Sequence, residues 1–159
     1  MKTWIRTIVA LLTLSALTLP ARPAQADAPS RPVPEERLQQ QIVHLLQSDA
    51  AHIQERGLQL VFQFARADDY GRSFFRPVEQ PLLAVVTSGT TEAVRVMAVS
   101  ALYRVGSPQS MQQLHDAAAE MENARMRRLC KRAVAQYRLD RAEEESKRFV
   151  ERVMWNRRT

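Results

Sequence analysis

The stretch VRVMAVSALYRVG, Val94 to Gly106, decides the fold because its pattern of large and small residues occurs three times in the chain. IQERGLQLVFQFA begins at Ile53 and MRRLCKRAVAQYR begins at Met126, so the offsets are 41 and 32 residues. A small residue stands four positions after the start of each segment: Gly57, Ala98 and Cys130. A helical unit recurring at such intervals predicts an α-solenoid, in which neighbouring units bury each other's apolar faces.

The third segment contains the only cysteine, and it is flanked by four basic residues: Arg127, Arg128, Lys131 and Arg132. Nearby positive charge would lower the pKa of the thiol and make it reactive. The register of the repeat favours a different interpretation, because Cys130 then points inward, where a thiol behaves as a small hydrophobic group. We therefore predict a packing role for Cys130 and no catalytic role.

The segment from Val94 to Leu114 strongly resembles a HEAT repeat of the short bacterial, PBS-lyase-like kind. The matching features are Val94-Arg95, the small Ala98, Ala101-Leu102, Val105-Gly106 and Pro108. Met126-Arg127 repeats the apolar-arginine pair, whereas Ile53-Gln54 departs from it. The resemblance implies an all-α, HEAT-like short solenoid over 34–159. By analogy with the family, the first, third and fifth helices would line its concave side.

Hydrophobic periodicity and capping residues predict six to seven antiparallel helices. Their predicted ranges are 34–47, 50–66, 78–87, 91–105, 108–121, 124–139 and 140–156. The pattern leaves a long connection at 67–77 between two paired helices, and Pro81 is then acceptable because it lies in a first turn. Gly106 should end the fourth helix in the left-handed conformation. Asp140 resembles the start of a capping box, so 124–156 is either two helices or one bent helix.

The N-terminus has the pattern of a secretory signal. Lys2 and Arg6 precede an apolar run over 7–19, and Ala24-Gln25-Ala26 has the small residues that signal peptidase recognises. Residues 1–26 are therefore predicted to be removed, 27–33 to form a flexible leader, and the mature chain to be periplasmic or secreted without a transmembrane segment.

Charge is distributed unevenly along the predicted mature chain. Residues 27–124 hold 8 basic and 12 acidic residues, whereas 125–159 hold 12 basic and 5 acidic residues. Arg125, Arg128 and Arg132 fall on one side of the sixth predicted helix. Such a face suits an acidic protein, lipid headgroups or an anionic polymer, or it is simply a solvated helix surface. Nucleic acid is not expected, because no aromatic stacking platform accompanies the arginines.

A second candidate binding region is the connection at 67–77, where aromatic residues alternate with arginine. Its candidate partner-binding residues are Tyr70, Arg72, Phe74 and Arg76. Tyrosine, phenylalanine and arginine are common in protein interfaces. The alternative is that Phe74 and Phe75 fold back against the helices, leaving Tyr70 and Arg72 as the exposed pair.

Sequence patterns that would indicate catalysis or a cofactor are missing. His44, His52 and His115 lie on separate predicted helices or lack a partner one turn away, so no metal site is predicted. No glycine-rich phosphate loop or nucleophile elbow is present. The sequence therefore predicts a non-enzymatic protein-binding or scaffold module of the cell envelope, without cofactor. The alternative is a binder of anionic envelope surfaces through the basic C-terminal helices.

Overall fold

The computed structural model describes residues 34–67 and 70–156; the predicted signal and leader at 1–33 lie outside the described residues. The described part is all-helical. Its six helices are α1 (Glu35–Leu46), α2 (Ala51–Arg66), α3 (Arg72–Ser88), α4 (Glu92–Val105), α5 (Pro108–Glu120) and α6 (Ala124–Asn156). All six belong to one compact unit.

Contacts between the helices follow a regular order. The most extensive ones join α3 to α4, α1 to α2, and α5 to α6. In addition, α1 contacts α3 and α3 contacts α5, while α2 contacts α4 and α4 contacts α6. The segment between α2 and α3 therefore connects two helix pairs, and the prediction that it separates the members of one pair is wrong.

The buried core lies along the repeat register proposed from the sequence. Ala98 and Cys130 are fully buried, and Gly57 is buried as well. An added Cβ at Gly57 would lie 3.0 Å from the Cβ of Leu45 on α1, which explains why this position requires a small residue. The three small residues thus mark where the even-numbered helices are closely packed.

Polar side chains connect the helix ends to one another. Gln54 is buried, donates from Nε2 to the Leu46 carbonyl at 3.3 Å, and accepts at Oε1 from Thr90 N and Oγ1 at 3.1 and 2.9 Å. Glu79 is also buried and accepts from the backbone and hydroxyl of Ser107 at 3.1 and 2.6 Å. These bonds link α1 and α2 to the start of α4, and α3 to the start of α5.

The N-terminal caps largely follow the sequence signals. Ser107 caps α5 and Asn123 caps α6, through bonds to Ser110 N and to Arg125 N and Met126 N. At α4 the capping residue is Thr91, which accepts from Val94 N, and not the preceding Thr90. Thr90 instead bonds to Gln54.

Gly106 does not have the left-handed conformation expected for it. Its φ and ψ are −67° and 150°, which any residue adopts. Space is the reason for glycine here, because an added Cβ would lie 2.4 Å from the Leu102 carbonyl oxygen and 2.9 Å from Ser110 Oγ. Glycine therefore permits the close approach between the end of α4 and the start of α5.

Helix α3 begins six residues earlier than predicted and contains two prolines, Pro77 and Pro81, within its length. Neither lies in the first turn, so the explanation offered for Pro81 is wrong. Phe74, Phe75 and Val78 are all buried. Their apolar contacts offset the hydrogen bonds that the two prolines remove from the helix.

Helix α6 is a single helix of 33 residues, which corrects the alternative of two helices. Asp140 does not begin a new helix; its carboxylate instead accepts from Gln136 and Tyr103. The last buried side chain of α6 is Tyr137. The second half leaves Phe149, Val150, Val153 and Met154 exposed, although their helical spacing is typical of a buried face.

Candidate functional site

An open and largely apolar groove of about 340 Å³ lies between α4 and α6. Val99 and Tyr103 come from α4, one turn apart, and Leu129 and Ala133 come from α6 with the same spacing. All four are buried or partly buried against the core. Ser100, Arg132 and Gln136 are exposed at the rim. The groove thus has an apolar floor and a polar edge.

Hydrogen bonds fix the end of this groove. Tyr103 donates its hydroxyl to Asp140 Oδ2, and Gln136 Nε2 donates to Asp140 Oδ1 at 2.7 Å. The bond from Tyr103, followed by that from Gln136, lowers the pKa of Asp140. The same bond, together with partial burial, raises the pKa of Tyr103. The Tyr103 ring is therefore held in one orientation across α4 and α6 at neutral pH.

The three arginines predicted from the sequence lie on α6, the helix that forms one wall of this groove. Arg125, Arg128 and Arg132 are all exposed on α6, and Arg132 lines the groove itself. Arg125 forms an ion pair with Glu92 of α4, with 3.0 Å between NH1 and Oε1. Its charge is therefore partly compensated. Arg128 and Arg132 lie one turn apart on α6, and of the three arginines it is Arg132 that lines the groove.

Arg127 has a different role from its neighbours. Its NH1 donates to the Met121 carbonyl at 2.9 Å, at the end of α5. Gln54, which occupies the same position of the repeat, likewise donates to a carbonyl at the end of the preceding helix. In α2 and α6, the side chain at this repeat position therefore bonds to the end of the preceding helix.

The aromatic residues near the start of α3 form a cluster and not an open binding loop. Ring centroids lie 4.3 Å apart for Tyr70 and Phe74, 5.2 Å for Phe64 and Tyr70, and 5.0 Å for Phe74 and Phe75. Phe74 and Phe75 are each 3% exposed, so the folding-back alternative is confirmed for them. The Tyr70–Phe74 pair is tilted and the other two pairs are edge-to-face, and such contacts stabilise packing at the junction of α2 and α3.

The polar members of the same segment are on the surface. Arg72 and Arg76 are exposed, and Arg72 NH2 lies 3.8 Å from Glu144 Oε2 on α6. Tyr70 is only partly exposed because it packs on Phe64 and Phe74. Of the predicted partner-binding residues in this segment, Phe74 is therefore buried and Tyr70 is partly exposed, whereas Arg72 and Arg76 are exposed.

The thiol of Cys130 is fully buried. Its Sγ lies 3.8 Å from Met121 Sδ, and burial raises its pKa to about 11 despite the flanking basic residues. At neutral pH the thiol is therefore protonated and a poor nucleophile. Burial raises the pKa because a thiolate at this position would lose its hydration.

The histidines stay on the surface. His44 and His52 are exposed, and His115 Nδ1 lies 3.3 Å from Asp116 Oδ1, a contact that the sequence reasoning did not expect. Within 34–67 and 70–156, no three histidine, cysteine, aspartate or glutamate side chains come together in a way that would hold a metal ion.

The glutamine-rich side of α1 borders a second groove of about 350 Å³. Gln39, Gln40, His44 and Gln47 line it together with Val43 and with Pro77 of α3. Gln39 is engaged in the fold, since its Nε2 donates to the Phe74 carbonyl at 2.9 Å. Part of the hydrogen-bonding capacity of this polar surface therefore holds α1 against α3.

The groove between α4 and α6 was not predicted. Its signal in the sequence is a pair of apolar residues one turn apart, next to the inward positions of each helix: Val99 with Tyr103, and Leu129 with Ala133. With these pairs, the apolar face of each helix is wider than the stripe that contacts the core. The sequence does not show that the two faces lie side by side; the contact between α4 and α6 does.

Comparison with protein-family models, with curated proteins and with solved structures gives no match to this chain. Of the helices that the structure describes, none has the length and apolar character that crossing a bilayer requires.

Proposed function

We propose that this protein is an exported, short HEAT-like α-solenoid that binds a partner protein in the groove between α4 and α6. The solenoid is supported by the helix contacts. Each odd-numbered helix contacts the next odd-numbered one, and each even-numbered helix contacts the next even-numbered one. Stacked helical pairs have this contact pattern.

The observation that carries the proposal is the apolar floor beside exposed arginines. Leu129 and Ala133 offer apolar surface, Arg132 stands exposed at the edge, and Arg128 is exposed one turn before it on α6. A helix that places an apolar side chain in the groove and an acidic side chain over the arginines would match both features. The arrangement selects a partner by shape and charge, and it needs no cofactor.

The test is capture of envelope proteins by residues 27–159, which contain all six helices. Leu129→Glu places a carboxylate in the groove floor. Val43→Glu is the matched control, because Val43 is similarly half-buried in the groove between α1 and α3. We expect Leu129→Glu to abolish capture of a defined protein that the parent chain and Val43→Glu both retain. Equal capture by all three would reject the groove as the binding site.

A second candidate function is binding to an anionic envelope surface. It is favoured by residues 124–139, which hold six basic residues and no acidic one. Arg125, Arg127 and Arg138 are engaged with Glu92, Met121 and Gln112, which leaves Arg128, Lys131 and Arg132 available. Binding through these charges should weaken steeply as salt is raised, whereas a packed protein interface should persist.

Export is supported by the charged start, the apolar run and the small residues at 24–26. The prediction is that protein recovered from the envelope begins at Asp27. N-terminal sequencing checks this directly, and an intact Met1 on exported protein would show that no cleavage occurs there.

A further inference from the structure

The second half of α6 carries an apolar stripe that no other described element covers. The stripe is formed by Leu139, Ala142, Phe149, Val150, Val153 and Met154, and all are exposed. Phe149 is 65% exposed, although a phenylalanine side chain normally contributes to a core. A helix of this kind has an unpartnered face.

Four residues of the stripe, together with Ser146, have the spacing of a two-stranded coiled coil. Leu139, Ser146 and Val153 recur every seven residues, and Ala142 and Phe149 fall three residues after the first two. This is the alternating three-and-four spacing of coiled-coil core positions. From Ala142 to Asn156 the helix extends for about 22 Å, at 1.5 Å per residue, beyond the last packed turns.

The charges beside the stripe change sign along the helix. Glu143, Glu144 and Glu145 occupy the first part, and Lys147, Arg148 and Arg152 follow. Residues 139–156 contain four basic and five acidic residues, so the segment has almost no net charge. An anionic membrane would favour an excess of basic residues. A segment that is acidic at one end and basic at the other is complementary to an inverted copy of itself.

We infer that residues 139–156 pair in antiparallel orientation with the same segment of a second copy, which makes the protein a homodimer. Ser146 of each copy then lies opposite Phe149 of the other, so that a small side chain faces a large one. Glu145 and Arg152 flank the stripe on the same side, seven residues apart. In the antiparallel pair Glu145 of one copy lies beside Arg152 of the second copy, and this contact occurs twice.

The stripe shares no residue with the lining of the groove between α4 and α6. Dimerisation would therefore present two grooves, one on each copy, and would increase the avidity for a partner with two binding segments. The inference stands or falls independently of the proposed function, because neither Leu129 nor Val43 belongs to the stripe.

The test is sedimentation equilibrium of residues 27–159 over a wide range of protein concentration, with charge-reversal variants. Glu145→Arg and Arg152→Glu should each weaken dimerisation at least about tenfold, because each replaces two attractive pairs by two repulsive ones. The double variant Glu145→Arg/Arg152→Glu should restore the parent affinity. Circular dichroism verifies that each variant keeps its helices.

Arg148→Glu and Glu151→Arg are the matched controls, since they reverse the same charges on the side of the helix away from the stripe. They should leave dimerisation unchanged. A parent chain that remains monomeric, or a double variant that fails to recover, overturns the inference. So does a monomeric chain that binds vesicles of anionic phospholipid and loses this binding in Val153→Glu, since the stripe would then contact lipid.

Discussion

Three small residues occupy one position of successive even-numbered helices: Gly57, Ala98 and Cys130. All are buried, so their identity is explained by the space between helices. These positions could be predicted from the sequence, because a small residue that recurs at one repeat position has few explanations other than close packing. The same packing buries the lone thiol.

Ala98→Leu should lower the free energy of unfolding by about 1–3 kcal/mol, because the added atoms overpack a fully buried contact. Urea denaturation gives the value. Ala93→Leu is the matched control on the exposed side of the same helix, and it should change stability by less than about 0.5 kcal/mol. Equal effects of both substitutions would contradict the repeat register.

Cys130 should react slowly with an aromatic disulfide reagent. Its pKa of about 11 instead of 9.0 lowers the thiolate fraction at neutral pH by about a hundredfold. Burial of the sulfur slows the reaction further. Protein unfolded in urea should react at the rate of a free thiol, and so should Ser100→Cys in a Cys130→Ala background. Rapid labelling of the folded parent chain would show that the thiol is accessible.

The bond between Tyr103 and Asp140 makes one part of the stability depend on pH. The folded protein has a lowered pKa at Asp140. The stability that this carboxylate contributes is therefore fully present above its unfolded pKa of about 4, and it is lost as the pH falls through the pKa of the folded state. The folded protein has a raised pKa at Tyr103. The stability that this hydroxyl contributes is therefore fully present below its unfolded pKa of about 10, and it is lost as the pH rises through the pKa of the folded state.

Tyr103→Phe should therefore be less stable than the parent chain at neutral pH, and the difference should shrink in acid as Asp140 is protonated. Tyr137→Phe is the control, because Tyr137 donates to the Gly106 carbonyl at 3.2 Å, which does not titrate. Its stability deficit should stay constant over the same acidic range. Urea denaturation at a series of pH values distinguishes the two, and parallel curves would show that the Asp140 bond contributes nothing.

At the scale of elements, boundaries were predicted well where a cap or glycine marks them and poorly where packing overrides a local signal. Ser107 and Asn123 begin helices because their side chains satisfy free backbone amides. The start of α3 was missed because Pro77 indicates a helix end, whereas burial of Phe74 and Phe75 extends the helix through it. Helix α6 was predicted with a possible break at Asp140, whose role in a contact with α4 is not visible in the local sequence.

Pro77→Ala should raise the free energy of unfolding by about 2 kcal/mol. Pro77 is exposed within α3, so alanine restores a backbone hydrogen bond without loss of core packing. Pro108→Ala is the control at the first position of α5, where proline removes no bond, and it should change stability by less than about 1 kcal/mol. No gain for Pro77→Ala would indicate that the helix begins after Pro77, as the sequence pattern suggests.

For the whole molecule, the all-helical class follows from the repeat, but the positions of the surfaces do not. Periodicity identifies the inward face of each helix and cannot say which outward faces adjoin. Arg125, Arg128 and Arg132 could therefore be named from the sequence, whereas the apolar floor beside them required the contact between α4 and α6. Likewise, the apolar stripe that contains Phe149 indicates a packing partner, but the sequence does not show whether that partner belongs to the same chain.

The position of Trp155 has a spectroscopic consequence. After removal of residues 1–26 it is the only tryptophan, and it is 70% exposed near the end of α6, far along the chain from the last buried residue. Its indole is in water both before and after the core melts. The emission maximum of residues 27–159 should therefore barely shift across a thermal transition that circular dichroism records in full. The fluorescence spectrum of the native protein should therefore resemble that of an unfolded chain, although its helices are intact. A marked red shift on melting would show that Trp155 is shielded from water in the native state.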